Sequence, residues 1–380
     1  MGEEQQREER WRTEAYPMKG GDGMDSYANN SSYQRGGVDA AKKVIIEAVG
    51  EKLDVKSIVS SNIFRIADLG CSVGPNTFFA VESIINAVQS KWQYDQYQGG
   101  VLHDLDHHVC PEFQVFFNDH SSNDFNTLFT SLPPDRQYFA AGVAGSFYCR
   151  LFPSASLHFV HSSYAINWLS QVPKPIIDKS SAAWNKGKIH YSNSKDVVVE
   201  AYEVQYSEDM ECFLHARAQE VVFGGLIALV IAGRPNGMPH SQNPQNITFE
   251  LMGSCLMDMA KKGKVSEEKV DSFNIPMYLM SPQELEAAVD RNGYFRIERL
   301  EDLPNVLQLG GRPKSEVISS HWRAIMHGMM EVHFGRDVVI ILDELLELFR
   351  KKLEEDLSLM DSISDTLYTF FALLKRQAME

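Results

Sequence analysis

The sequence predicts an α/β protein, a largely parallel sheet covered on both faces and roofed by a later set of helices. Three observations carry this prediction. Strand and helix signals alternate from about residue 64 to residue 231. A glycine-containing turn, "DLGCSVG", joins the first strand to its helix. After Gly237 the alternation gives way to amphipathic helices. With 380 residues and 44% hydrophobic side chains, the chain has the apolar surface that such a sheet needs.

The elements follow in order. Residues 1–16 are polar and read as disordered, and 17–36, "PMKGGDGMDSYANNSSYQRG", read as a loop or turn-rich arm. A helix pattern spans 38–53, a strand 64–69, and a helix 78–89. The segment 91–111 is rich in Gly, Gln and Tyr. It holds His103, Asp104, Asp106, His107 and His108, but without helical spacing, so a solvated loop explains it better than a metal site. Strands follow at "FQVFF" from Phe113, "YFAAGVAG" from Tyr138 and "LHFVHSS" from Leu157, with "NDFNTLFTSL" as a short helix. A helix over 202–219 leads into a buried strand over 221–231. The apolar run there is well short of the roughly 18 residues a membrane helix needs. Helices and loops then occupy the segments before and after "YFRIERL", a strand from Tyr294. A long amphipathic helix begins at Asp337, and "DTLYTFFALLKR" reads as a last strand. The predicted division is a sheet domain of 17–236 with 294–302 and 364–377, and a helical cap of 237–293 and 303–363.

Charge and cysteines narrow the function. The 36 basic and 51 acidic residues leave a net charge of −15, which repels nucleic acid and anionic membrane surfaces. Cys71, Cys110, Cys149, Cys212 and Cys255 show no paired spacing, which fits a reducing compartment. The start "MGEEQQREER" has no apolar core for a secretory signal. A cytoplasmic protein acting on a small molecule is expected.

The first turn and the second strand point to the ligand. In "GCSVG" the two glycines are four apart, which does not fit the dinucleotide pattern G-x-G-x-x-G. Cys71, Ser72 and Val73 bring no cation for a phosphate. "FQVFFNDH" ends in Asp119, and a carboxylate there suits a free ribose 2′,3′-diol. A ligand with ribose and no phosphate is S-adenosylmethionine; a purely structural acid at a strand end remains the alternative. Further on, Tyr164 and Trp168 are four apart and would share a face on a helical turn, as a core aromatic pair or as walls beside a substrate.

Several motifs together carry a family resemblance: "MKGGDGMDSYANNSSYQ", "ADLGCSVGPNT", "FFNDHSSNDFNTLF", "GSFYCRLFP", "SSYAINWLSQVP", "WNKGKI", "DSFNIPMY" and "RAIMHGMMEVHFG". They span nearly the whole chain, and it resembles the plant salicylate/benzoate/theobromine-type (SABATH) methyltransferases. That resemblance implies a class I S-adenosylmethionine-dependent methyltransferase fold, a Rossmann-like mixed sheet with an α-helical cap, and a homodimer. It places the methyl donor at Tyr27, Ser31, Asp68, Cys71, Asn76, Asp119, His120, Ser146 and Phe147. It places the acceptor at Lys19, Gln34, Tyr164, Asn167 and Trp168. Some members hold Mg²⁺, and the matching residues are Asn185, Asp271, Phe273 (through its backbone oxygen) and Asn274.

The activity implied is methyl-ester formation on a small plant carboxylic acid. Iridoid or other terpenoid acids such as loganic acid come first, then benzoic or salicylic acid, then farnesoic, jasmonic or indole-type acids. A carboxylic acid with a pKa of about 4 is already ionised at neutral pH, so no general base is required. Gln34 and Trp168 are the catalytic candidates, as neutral donors to the carboxylate oxygens, with Lys19 at the pocket mouth. Asn167 departs from the family, where salicylate-type members carry Met and loganate- and caffeine-type members carry His. Its amide favours a hydroxyl, carbonyl or ring nitrogen on the acceptor. His327 and Met330 are placed at the far side of the pocket. The rival readings are an N-methyltransferase of a purine or other heterocycle, and a binding protein without turnover.

Overall fold

A computed structural model of the protein describes residues 16–59, 62–98, 110–304, 313–365 and 367–378. The sheet has seven strands: β1 (Ile63–Leu69), β2 (Glu112–Asp119), β3 (Phe139–Ala144), β4 (Leu157–Ser163), β5 (Val221–Ala232), β6 (Phe295–Leu303) and β7 (Thr369–Arg376). Their order is β3-β2-β1-β4-β5-β7-β6. The first five strands are parallel, and β7 lies antiparallel to both β5 and β6. The long helices are α1 (Ser32–Lys52), α2 (Pro75–Gln98), α3 (Asp196–Glu220), α4 (Pro244–Lys261), α5 (Pro282–Asn292), α6 (Lys314–Phe334), α7 (Val338–Glu355) and α8 (Leu357–Asp365).

Strand β5 from Leu226 to Ala232 and strand β7 from Phe370 to Leu374 are apolar at every position because both faces are covered. Along β5, Leu226, Ala228, Val230 and Ala232 join the core beneath α1 and α2, while Ile227, Leu229 and Ile231 join the core beneath α3. On β7, Phe371 and Leu373 face one core, and Phe370, Ala372 and Leu374 face the other. This continuous burial is the pattern of a sheet with helices on both sides. Each fully buried Leu or Phe contributes about 1.5–3 kcal/mol. The cap is made by α4, α6, α7 and α8, which pack on one another. Helix α7 buries Leu342, Leu345, Leu346, Phe349 and Leu353, whereas Leu357, expected on the same stripe, starts α8 and is exposed.

Three expectations need correction. The arm over 17–36 is partly helical, with a turn at Tyr27–Asn30 and α1 beginning at Ser32. Its polar residues close the turns: Asn30 Nδ2 donates to Met24 O (2.6 Å) and Ser26 O (2.8 Å). Helix α2 runs to Gln98, beyond the predicted end at 89 and into the supposed loop. The Lys91–Asp95 ion pair at 3.0 Å supports that extra length, and half-buried Trp92 packs against the core. Helix α5, grouped with the cap in the sequence, packs instead on β6 and α3, with Leu285, Ala288 and Val289 in the core beneath them. Residues 1–15 of the predicted disordered stretch 1–16, and the His/Asp set at 103–108, lie outside the described residues; Tyr16 is ordered and lines a cavity.

Candidate active site

The turn after β1 is shaped by three left-handed residues, Gly70 (φ +78°), Ser72 (φ +53°) and Gly74 (φ +125°). Gly70 N and Cys71 N both donate to Asn118 O, at 2.9 and 3.0 Å, which folds the turn back over the end of β2. Gly70 is required because a Cβ there would stand 2.3 Å from Ala165 Cβ. Asp119, at the end of β2, locks the turn: its Oδ2 accepts from Ser72 N (2.7 Å) and its Oδ1 from His120 N (2.8 Å). Burial pushes its pKa up, and the two amides and His120 oppose that shift.

A cavity of about 940 Å³, mouth included, opens at the C-terminal ends of the parallel strands, the usual ligand position in open α/β sheets. Tyr27, Gln34, Asp119, His120, Ser146, Phe147, Tyr164, Asn167 and Trp168 all line it. Asp68, Cys71 and Asn76 line a smaller cavity that shares Tyr27, Gln34 and Gly70 with the first. Ser31 stands behind Asn76, whose Nδ2 donates to Ser31 Oγ at 2.9 Å. Asp68 is buried between His161 Nδ1 (2.6 Å) and the Thr77 hydroxyl. Burial holds the Cys71 thiol well above the usual range, so it is no nucleophile at neutral pH.

Lys19 does not line the cavity; its Nζ lies 3.2 Å from His327 Nε2. Met330 is buried in the core rather than at the pocket wall. Tyr164 and Trp168 do share the cavity, but through a turn and not a helix. Tyr164 is left-handed at φ +55°, and Trp168 N donates to Ala165 O at 3.0 Å. Tyr148 Oη then donates to Trp168 O at 2.6 Å, fixing the indole's backbone. The buried atoms Gln34 Oε1, Ser72 Oγ, Ser163 Oγ and Asn167 Oδ1 have no hydrogen-bond partner among the described residues, and their residues all line the cavity. Four polar atoms left open at one place mark a site built for a polar ligand.

Of the four Mg²⁺ residues, two pair with each other and a third bonds nearby backbone. Asn185 Nδ2 donates to Asn274 Oδ1 (2.8 Å), Ser194 Oγ donates to Asn185 Oδ1 (2.7 Å), and Gly187 N donates to Asp271 Oδ1 (2.8 Å). An amide–amide pair beside one carboxylate does not present the octahedral oxygen set that Mg²⁺ demands. The residues as arranged do not fit the ion.

The comparisons with known proteins agree with this geometry. The family model described as SAM-dependent carboxyl methyltransferase matches residues 13–377. The chain belongs to this SABATH family. It is 46% identical to loganic acid O-methyltransferase of Catharanthus roseus, over 96% of this chain and 95% of that one. It is 41% identical to the farnesoic acid carboxyl-O-methyltransferase of Arabidopsis thaliana, over 90% of this chain and 93% of that one. A solved structure of loganic acid methyltransferase with SAH superposes with a TM-score of 0.87 at 46% identity, covering 95% and 99% of the two chains.

In this carboxyl methyltransferase, residues that the sequence reading missed also line the cavity: Gln245, His321 and Ile325 from the cap, and Met277 from the segment before α5. His321 and Ile325 are four apart on α6, so helical spacing was the available signal, but it does not say which face looks inward. Burial lowers the His321 pKa to about 4, and its Nδ1 lies 3.3 Å from Asn30 O. A carbonyl only accepts, so Nδ1 carries the proton and Nε2 is a neutral acceptor.

Asp209 supports the loop after Trp168, accepting from Ser170 N (2.8 Å), Ser170 Oγ (2.6 Å) and Gln205 Nε2 (3.0 Å). Burial nonetheless lifts its pKa to about 6 from 3.8. The folded protein therefore holds this proton more tightly than the unfolded chain. Stability is expected to fall as pH rises between about 4 and 6, by up to about 3 kcal/mol. Asp209→Asn removes that slope; denaturant titrations of both proteins at pH 4.5 and 7.5 check it.

Proposed function

We propose that this carboxyl methyltransferase forms the methyl ester of a small hydroxylated carboxylic acid, an iridoid or other terpenoid acid of the loganic type. The observation that carries the hydroxylated acceptor is Asn167 Oδ1, a buried acceptor at the cavity with no hydrogen-bond partner among the described residues. A hydroxyl on the acid satisfies it; a wholly apolar acid leaves it unpaired. Similarity to the loganic and farnesoic acid enzymes supports the choice of a terpenoid-type acid.

S-adenosylmethionine would supply an electrophilic methyl on its sulfonium; an ionised carboxylate oxygen would bond to that methyl in line as the C–S bond breaks and S-adenosylhomocysteine leaves. The turn of Gly70 to Gly74, with Asp68 and Asp119 beside it, would hold this donor: the turn leaves room, and the carboxylates suit hydroxyl and cationic groups. Gln34 and Trp168 would fix the acceptor carboxylate through neutral N–H groups, which align the anion without neutralising it. The aromatic walls of Tyr164, Phe147 and Trp168 keep water away from the two charges. With an acid already ionised, His321 has no proton to remove. Homodimerisation and a cytoplasmic location belong to the same reading. The family resemblance supports the first, and the five free cysteines and acidic composition support the second. Mg²⁺ has no step in this scheme.

The test is transfer of a labelled methyl group from S-adenosylmethionine to a panel of plant carboxylic acids and purines, followed by alkali. Alkali-labile label on a hydroxylated terpenoid acid is expected; alkali-stable label on a heterocycle overturns the proposal. Asn167→Leu is expected to lower kcat/KM for the hydroxylated acid by about 10–100-fold, and to change the deoxy analogue far less.

A further inference from the structure

Helix α3 carries a fully buried ion pair. Arg217 Nε donates to Glu220 Oε2 at 2.7 Å, and both side chains are 0% exposed. Among the described residues, the other side-chain hydrogen bonds of the pair go to the backbone of one loop, residues 146–152 between β3 and β4. Arg217 Nη1 donates to Phe147 O (2.6 Å) and Nη2 to Cys149 O (2.9 Å). Glu220 Oε1 accepts from Phe152 N (2.8 Å) and from Leu151 N. The two side chains thus bind four points of the loop, two carbonyls and two amides. A planar guanidinium fork can hold both carbonyls at once, which an ammonium cannot.

The same loop presents Ser146, Phe147 and Tyr148 to the cavity. A Cβ on Gly70 would lie 3.6 Å from the Phe147 ring, so the ring is seated against the turn after β1. From below, Phe147 meets the edge of Phe213 on α3 at a centroid distance of 6.2 Å. The carbonyl of Phe147 is therefore gripped by the helix that also supports its ring.

A buried ion pair is not an efficient way to stabilise a fold, because apolar residues of similar volume commonly do as well. A pair that satisfies four backbone groups of one loop does something an apolar pair cannot. We infer that Arg217 and Glu220 are positioning residues for the methyl-donor site, fixing the loop that places Ser146 and Phe147 against the turn after β1. The inference rests on the reading that this loop faces the donor, and not on the identity of the acid.

The experiment measures S-adenosylhomocysteine binding by calorimetry, together with thermal unfolding, on the full chain. The double variant Arg217→Met/Glu220→Gln removes both charges and leaves no lone ion buried. It is expected to remain folded and to bind S-adenosylhomocysteine about tenfold more weakly or worse. Arg217→Lys keeps the charge and loses the fork; a loss of about threefold is expected, and this variant stands in if the double one does not fold. A lowered melting temperature with affinity within about twofold of wild type shows a merely structural pair and overturns the inference. Phe147→Ala separates the two claims. If it weakens binding and the helix variants do not, the positioning role alone fails. If neither does, the loop does not face the donor, and the underlying reading falls with it.

Discussion

Asp119→Ala is expected to lower kcat/KM for S-adenosylmethionine by about 10²–10³-fold. The carboxylate stands at the end of β2 with both oxygens engaged, one by Ser72 N and one by His120 N. Ser72 is a non-glycine residue in the left-handed region, and this hydrogen bond helps hold it there. Removing the carboxylate strands two backbone amides at the cavity wall, at about 1–3 kcal/mol each, and takes away an acceptor for the donor's ribose. Initial rates across a range of donor concentrations, with S-adenosylhomocysteine calorimetry, read the effect. A change of less than about fivefold would remove Asp119 from the donor site. Because burial raises this carboxyl's pKa, donor affinity is also expected to fall on acidification before an ordinary aspartate would protonate.

The second large effect is at Gly37, inside α1. An added Cβ would stand 1.9 Å from Tyr164 Oη and 2.6 Å from its ring carbons. Alanine ordinarily gains about 1 kcal/mol over glycine in a helix. Here the ring is already anchored: its hydroxyl is 3.2 Å from Thr369 Oγ1, its centroid is 5.1 Å from that of Tyr33, and its backbone is held at φ +55°. Overpacking of this kind costs about 1–3 kcal/mol and displaces the side chain. Gly37→Ala is therefore expected to lower the melting temperature and raise the acceptor KM about tenfold, while S-adenosylhomocysteine binds within about twofold of wild type. Equal losses for donor and acceptor would mean that Tyr164 does not belong to the acceptor side alone.

The sheet was legible because strand and helix signals alternate and β5 is a continuous apolar run, a pattern that two covered faces explain. The turn after β1 was legible through Gly70 and Gly74, and the acid at the end of β2 through its place in the alternation. Other features depend on groups far away in the chain. The helical start of α1 was hidden by glycines that look like loop residues, yet Gly37 is there because Tyr164, well over a hundred residues later, needs its space. Spacing placed Tyr164 and Trp168 together for the wrong local reason, since a left-handed turn mimics the helical offset. The inward face of α6 depends on the tilt of the cap, so His327 and Met330 were chosen where His321 and Ile325 line the wall. Lys19 is expected at the pocket mouth, whereas it sits against His327, 308 residues away in the chain, a neighbour that spacing cannot show.

The position of β7 bears on how the enzyme comes to be active during synthesis. It is the final strand in the chain but sits between β5 and β6, pairing with both. Until residues 369–376 have left the ribosome, β5 has an open edge and β6 has no neighbour at all. Thr369 of this strand also stands within 3.1 Å of the Tyr33 hydroxyl and 3.2 Å of the Tyr164 hydroxyl. A nascent chain can therefore assemble the parallel half, with its glycine turn and Asp119, well before the acceptor wall acquires its anchor. Such late, long-range pairing is slow to form and leaves an apolar strand edge exposed meanwhile. An arrested translation product would be a donor-binding half with no defined place for the acid.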